Sequence, residues 1–368
     1  MHPVTTAPGN VMHMAPRQEP PRADPEHVDV TVIVPESGWA SLELGEVWRY
    51  RDLLLLLAWR DIAARYRQSV IGYGWAILKP VLSMIIFTFI FGRVAKIPSD
   101  SSPYPLFAFT AMLPWLYFAN TLSASTTSVV TSSHMLTKVY FPRMVLPISS
   151  VVIGLVELAI QFVVLAGLIA YFNGTPVEST KTPASAAAPV ADSTTPDERL
   201  EQATPRSAAA AADDAPRQTA GTPVAASEKP NARDDEQPAV WRFSLSARTL
   251  CLPLFLVLCV LTAMAVGLWL TALNVMYRDI GQAVPFLVQA WFYLSPVVYS
   301  SSLVPEKWRP YYGLNPMVGV IEGFRWSILG STTPDWTMMA VSTAVVSVLL
   351  VSGLYYFRRT ESTFADII

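Results

Sequence analysis

The chain of 368 residues has little charge, almost no cysteine and no common catalytic signature, and each lack removes a class of protein. Charged residues make up 15% of it against 52% hydrophobic and 11% aromatic, whereas soluble domains average about 25% charged. Lipid, rather than water, is the solvent that suits such a composition. A net charge of -2 leaves no global basic surface, so no nucleic-acid partner is expected. The two cysteines, Cys251 and Cys259, stand in one apolar run, where a helix would hold them ~12 Å apart along its axis, beyond disulfide reach. The four histidines, His2, His13, His27 and His134, are too scattered for a metal site. Without G-x-x-x-x-G-K-[ST], H-E-x-x-H or G-x-S-x-G, an autonomous ATPase or hydrolase is excluded and no cofactor is expected on this chain.

The polar residues are gathered into two blocks. Residues 1–43 are rich in Pro, His and charge, without helical periodicity or the apolar core of a signal peptide, and read as a disordered tail. The block Asn173 to Val240 holds 17 Ala and 9 Pro, no aromatic residue, and Leu200 as its only Leu or Ile. It has too little apolar surface to offset chain entropy and is expected to be disordered. Four parts follow: the tail 1–43, a helical region 44–172, the polar loop 173–240 and a helical region 241–368.

Six apolar stretches approach the ~20 residues that cross a bilayer as a helix: Gly74 to Val94, Leu106 to Val130, Val145 to Phe172, Leu250 to Val275, Ala283 to Ser300 and Thr337 to Phe357. An all-α integral membrane protein with six transmembrane helices is the expected fold. Lys and Arg gather on the side that carries the N-terminus, which places both termini in the cytoplasm and the polar loop outside.

Leu44 to Tyr66 has a different pattern. Val47, Tyr50, Leu53, Leu54, Leu57, Ala58 and Ile62 recur at helical spacing, interrupted by Arg49, Asp52, Arg60, Asp61 and Arg65. The pattern suits an amphipathic helix lying in the membrane interface, or one packed on a cytoplasmic partner. Glu157, with Gln161 one turn on, falls inside the third stretch, where a charge must face the bundle interior or water; it reads as a substrate contact or as an interhelical contact. Aromatic residues crowd three stretches, among them Phe87, Phe91, Trp115, Tyr117, Trp291, Tyr293 and Tyr299. Some belong at lipid interfaces, while a subset lining a conduit would suit carbohydrate, whose apolar ring faces stack on aromatic planes. Ser301 to Pro334 is too polar to span and too apolar for a free loop. Short re-entrant or surface helices on the outer side satisfy it, with Asn315 and Pro316 at a helix start and Glu322 and Arg325 inside.

Several blocks resemble one family. Trp59-Arg60-Asp61-Ile62-Ala63-Ala64-Arg65-Tyr66-Arg67-Gln68-Ser69 with Gly72-Tyr73-Gly74-Trp75 is similar to the start of the membrane subunits of ABC exporters for O-antigen, capsular polysaccharide and teichoic acid. Lys138-Val139-Tyr140-Phe141-Pro142-Arg143, Asn274-Val275-Met276-Tyr277-Arg278-Asp279, Tyr293-Leu294-Ser295-Pro296 with Tyr299, and Leu314-Asn315-Pro316-Met317 with Phe324-Arg325 agree in order and spacing. The polar block Asn173 to Val240 is a departure, since the family has a short loop there. The resemblance implies a homodimeric permease in the cell inner membrane, paired with a separate nucleotide-binding ATPase subunit that carries ATP and Mg, and exporting a lipid-linked polysaccharide. It further implies an interface helix bearing Arg60, Asp61, Arg65 and Tyr66, and a coupling segment with His134, Lys138, Tyr140, Phe141 and Arg143. A second cytoplasmic turn would carry Tyr277, Arg278 and Asp279, and outer gate helices Asn315, Pro316, Glu322 and Arg325. Another exported substrate, such as a drug or lipid, and a membrane-embedded glycosyltransferase or ligase are the alternatives.

Overall fold

The structure, a computed structural model, describes residues 44–67, 72, 74–99, 102–136, 138, 140–174, 241–243, 246–330 and 334–364, the side chains of Leu44 and Tyr66 excepted. The expected tail 1–43, the polar loop from 175 to 240, and Val139 lie outside the described residues. All regular structure among the described residues is helical.

Two helices, α1 (Leu44–Arg49) and α2 (Arg51–Arg67), come first. Asp52 in the first turn of α2 and Arg65 and Arg67 in its last complement the helix dipole. Helix α3 (Gly74–Phe87) continues as a π-helical segment over Thr88–Val94. There Gly92 lies against Tyr104, whose ring would stand 3.0 Å from a Cβ at that position. The long helices α4 (Tyr104–Thr131) and α6 (Val145–Phe172) flank the one-turn α5 (Ser133–Leu136). After the polar block, a 3-10 turn at Thr249–Cys251 leads into α7 (Leu252–Met276), and α8 (Ile280–Leu294) returns antiparallel to it. Short turns precede α9 (Arg309–Tyr312), α10 (Pro316–Ile328) and α11 (Trp336–Glu361). Asn315 and Asp335 cap the last two, accepting from the backbone N–H of Met317 and of Thr337 and Met338.

Among the described residues, four helical stretches are long and apolar enough to cross a membrane: Gly74–Val94, α6, Thr249–Met276 and α11. Helix α4 is as long as α6 but richer in Ser, Thr and Asn. It is the central helix, packed by α3, α6, α7, α8 and α10, so its side chains meet protein. Thr110, Ser123 and Thr126 donate to carbonyls one turn back, at 2.8, 2.9 and 2.7 Å.

The fifth apolar stretch differs from its expected bounds. Helix α8 begins at Ile280 and stops at Leu294, six residues before Ser300. Ser295 precedes a proline and is driven into the extended region, φ -105° and ψ 148°. The α2 expectation is also refined, because its periodic stripe turns toward its own bundle. Leu54 and Leu57 pack with Phe141 and Val145, and Ala58 and Ile62 pack with Ile153 of α6. Its other side exposes Leu55, Leu56 and Trp59. Helix α10 is no surface helix, since all but one of its 13 residues are buried.

The ends of α4, α6, α7 and α11 that meet α1 and α2 form one end of the bundle, here called the base. Leu54, Leu57, Phe141, Val145, Leu268, Val275, Phe357 and Phe364 make its core. At the opposite end the polar block leaves and re-enters the chain at one point. The N–H of Gly174 donates to the carbonyl of Trp241 at 3.0 Å, and that of Phe243 to Oδ1 of Asn173 at 3.2 Å. Gly174 has φ +90°, a conformation that costs glycine little.

Candidate functional site

Two turns reach the base from different parts of the sequence. The α4–α6 connection exposes His134, Lys138 and Tyr140, and the α7–α8 turn exposes Tyr277, Arg278 and Asp279. Tyr140 is 70% exposed and Tyr277 60%. Phe141 behaves differently: it is 4% exposed and belongs to the chain's own core, so burial removes it as a direct anchor for another protein.

Arg143 turns toward the end of α11. Its backbone N–H donates to Oε1 of Glu361 at 2.9 Å, and its guanidinium donates to the carbonyl of Glu361. The other carboxylate oxygen of Glu361 takes Arg358 at 2.9 Å, and Arg358 reaches Glu46 of α1 at 3.8 Å. Fully buried Phe364 packs against Phe357, with Arg143 over its ring at 5.9 Å. The sequence reasoning missed Glu361 and Phe364. Their sequence signal is slight, an acid after Arg358-Arg359 and an aromatic three residues on.

Asn274 was also passed over as a site residue, although it heads the Asn274 to Asp279 block. Its Nδ2 donates to the carbonyl of Thr126 in α4 at 3.0 Å, and its Oδ1 accepts from the N–H of Gly281 in α8 at 2.7 Å. One amide thereby ties the helix that leads into α5 to the helix that follows the second turn. A Cβ at Gly281 would stand 2.8 Å from that Oδ1, which leaves no space for a larger residue without displacing Asn274.

The aromatic candidates separate into groups. Phe87 and Phe91 meet edge to face at 5.9 Å, Phe87 stacks on Phe292 at 5.6 Å, and Trp115 meets Phe292 at 5.6 Å. Phe118 meets Trp291 at 5.2 Å. A seam of rings thus joins α3, α4 and α8, and it takes in Phe118 and Phe292 of the same crowded stretches. Tyr293 adjoins it through Phe292 but is 64% exposed. Tyr117 lies apart, donating to the carbonyl of Val151 at 3.3 Å, and Tyr299 pairs by its hydroxyl with Tyr312 at 2.8 Å.

Asn315, Pro316, Glu322 and Arg325 converge on the non-helical stretch after α8. Its buried carbonyls require donors. Arg325, itself 4% exposed, donates to the carbonyls of Val297 and Tyr299 at 2.9 and 3.1 Å. Its guanidinium stands 3.7 Å over the ring of Phe107 and 3.4 Å from Glu322. Tyr104 donates to Val298 at 2.9 Å, and Asn315 to the carbonyl of Leu294 at 3.2 Å and to Oγ of Ser295 at 2.9 Å. Oδ1 of Asn315 accepts from Trp291 at 2.9 Å and caps α10, where Pro316 takes the first helical position.

Of the α2 residues, Arg60 pairs locally with Asp61 at 2.8 Å, while Arg65 forms an ion pair with Glu157 of α6. Asn120 of α4 donates to the other carboxylate oxygen of Glu157 at 3.1 Å. Glu157 is therefore an interhelical contact. The side chain of Tyr66 lies outside the described set. Among the described residues no group of three or more His, Cys, Asp or Glu is placed to hold a metal ion.

Comparison with known proteins gives one family. The ABC-2 type transporter family model matches residues 52–185 and 237–329, more than half of the chain, and breaks off within the polar block. The O-antigen export system permease protein RfbA of Myxococcus xanthus is 24% identical over 325 residues, 88% of this chain and 98% of its own length. A protein of the same name from Klebsiella pneumoniae is 22% identical over 317 residues, 86% of this chain and 95% of its own.

Proposed function

The chain belongs to the ABC-2 type transporter family, and we propose that it is the permease subunit of an ATP-driven exporter carrying a lipid-linked, O-antigen-like polysaccharide across the inner membrane. As a member of that family it is a multi-pass membrane transport subunit and no enzyme, which removes the glycosyltransferase or ligase alternative. ABC-2 permeases pair with ATPase subunits.

In this reading the base is cytoplasmic, both termini lie there, and two copies of the chain form the conduit. The six spans are α3 with its π continuation, α4, α6, α7, α8 extended by the stretch to Ser300, and α11. Helix α8 alone is ~22 Å long against a ~30 Å hydrocarbon core, so the extended residues after it complete the crossing. Helix α6 is ~42 Å long, and its surplus lies beside α2, which fits an interface helix at the cytoplasmic boundary. The outer gate is the buried stretch after α8 held by Asn315 and Arg325.

The observation that carries the proposal is the convergence of the α5 segment and the Tyr277 to Asp279 turn at one end of the bundle, linked through Asn274, in a chain without a phosphate loop. Closure of an ATPase dimer against that end would displace both turns as one body and bias the spans between two states. The polysaccharide assignment is supported by the relatives' names and by the aromatic seam. Co-purification from the native membrane tests it: a phosphate-loop ATPase is expected with the chain, and the pair reconstituted in vesicles is expected to move a lipid-linked glycan on ATP addition. Transport of a drug or a plain lipid, with the glycan left behind, would overturn the substrate assignment.

A further inference from the structure

We propose that α11 is a transmission rod, with Glu361 fixing its inner end to the coupling segment and Ser342 fixing its outer end to the turn that precedes α10. The inference rests on the export reading above and adds two positioning residues to it. Ser342 and Glu361 lie ~28 Å apart on one helix, so neither acts on the other directly.

At the inner end Glu361 holds Arg143 twice. One carboxylate oxygen accepts from the backbone N–H of Arg143 at 2.9 Å, and the main-chain carbonyl, at the negative end of the helix dipole, accepts from its guanidinium. Arg143 is the last residue of the coupling segment and stands just before α6. Phe364, buried beneath the Arg143 guanidinium, keeps the chain after α11 in the base core.

At the outer end one buried hydroxyl joins α11 to its neighbours. Oγ of Ser342 donates to the carbonyl of Gly313 at 2.8 Å and accepts from the N–H of Gly319, near the start of α10, at 3.2 Å. The backbones meet closely here. A Cβ at Gly313 would stand 2.9 Å from the carbonyl oxygen of Met338, and one at Gly319 2.7 Å from Cβ of Ser342. With glycine at both positions, the turn and α10 seat directly on α11, and close packing passes a shift of one to the other. Helix α10 carries Arg325, which holds the carbonyls after α8.

Between its two junctions α11 is built to carry a displacement without bending. Of the helices read as spans it alone contains no proline, a common cause of kinks. It packs along α7 and leaves Ala344, Val348, Val351 and Tyr355 exposed on its other side, so it has room to slide. Helix α4 also runs from the base to the outer end, but it contains Pro114 and five helices enclose it. It is the frame against which the rod moves.

The complete transporter with its ATPase, reconstituted in vesicles, tests the rod through non-additivity. Residues this far apart without shared partners ordinarily act independently. Glu361→Leu and Ser342→Ala are each expected to lower export per ATP hydrolysed about fivefold. The double variant is expected to lose about fivefold in total rather than about 25-fold, because a rod released at one end transmits nothing at the other. Melting temperatures in detergent are expected to fall additively, which separates transmission from stability. Glu361→Gln, which keeps an acceptor for the Arg143 N–H, is expected to lie closer to wild type, and it enters the same cycle with Ser342→Ala should Glu361→Leu fail to fold. Leu314→Cys, at an exposed position in the outer turn, reports on the far end in a background of Cys251→Ser and Cys259→Ala. Its reactivity toward a charged methanethiosulfonate is expected to change on ATP addition, and to stay constant once Glu361→Leu is added. Losses that multiply in the double variant, or an ATP response at position 314 that survives Glu361→Leu, would overturn the rod. An ATP response in a wild-type complex that moves no polysaccharide would overturn the export reading and leave the rod in place.

Discussion

At the scale of residues, a few side chains do what the apolar helices around them cannot. Asn274 is a lone carboxamide near the end of a 25-residue apolar helix, 3% exposed and satisfied by two other helices. Replacing it by leucine leaves the partly buried N–H of Gly281 without its acceptor, a loss of about 1–3 kcal/mol. Asn274→Leu is therefore expected to lower the melting temperature in detergent and to reduce export per ATP hydrolysed; unchanged values of both would show that the link carries nothing. Tyr140 and Phe141 are neighbours with opposite environments, so their alanine variants should part company. Phe141→Ala opens a cavity in the base core and should cost the chain itself about 3–5 kcal/mol, read as early unfolding in detergent. Tyr140→Ala should leave that melting curve in place and weaken association with the ATPase, measured by co-purification.

At the scale of elements, α8 and the polar block show how placement decides what a segment is free to do. Helix α8 is held at its two ends by asparagines and along one side by rings, and it leaves Gln282, Phe286, Gln289 and Tyr293 exposed. The polar block starts and ends at a closed point, the 3.0 Å hydrogen bond between Gly174 and Trp241. Since the ends already meet, a shorter connection needs no rearrangement of α6 or α7, and loop closure changes by only ~0.6 kcal/mol per doubling of length. Replacing residues 175–238 with a short Gly-Ser linker is expected to leave insertion, dimerisation and export near wild type. Loss of export with intact expression would instead assign the block's excess of acidic residues a role in recruiting a basic partner outside the membrane.

At the scale of the whole molecule, the chain is one part of a machine whose fuel is burned elsewhere. Purified alone it is expected to hydrolyse no ATP, with activity appearing on addition of the ATPase subunit; turnover by the isolated chain, free of contaminants, would contradict the permease assignment. Topology supplies a second test. Thr360 is 8% exposed and poorly placed for labelling, whereas Thr363 is exposed. Cysteines at 204 and 363 are expected to react from opposite sides of the membrane, position 204 from outside. Reaction from the same side would require an even number of spans between them and overturn the six-span map.

Composition and periodicity alone determined that the chain is helical and membrane-bound, because a long apolar run must satisfy its backbone internally wherever it ends up. They also placed Val145–Phe172 and, to within a few residues, the other long helices, along with the helix start at Asn315-Pro316. Resemblance of the ordered blocks located both turns at the base. Only the tertiary structure decided which way side chains face. Tyr140 and Phe141 are adjacent aromatics that no local rule separates, yet one is exposed and the other belongs to a core that includes residues more than two hundred positions away. Glu361 meets Arg143 across 218 positions, and Asn274 meets Thr126 across 148. Gln282 and Gln289 of α8 are legible in the sequence, but that both are exposed is not. A helix in the membrane is stable in any rotation its own backbone allows, and its neighbours choose among them through packing and the satisfaction of buried polar groups.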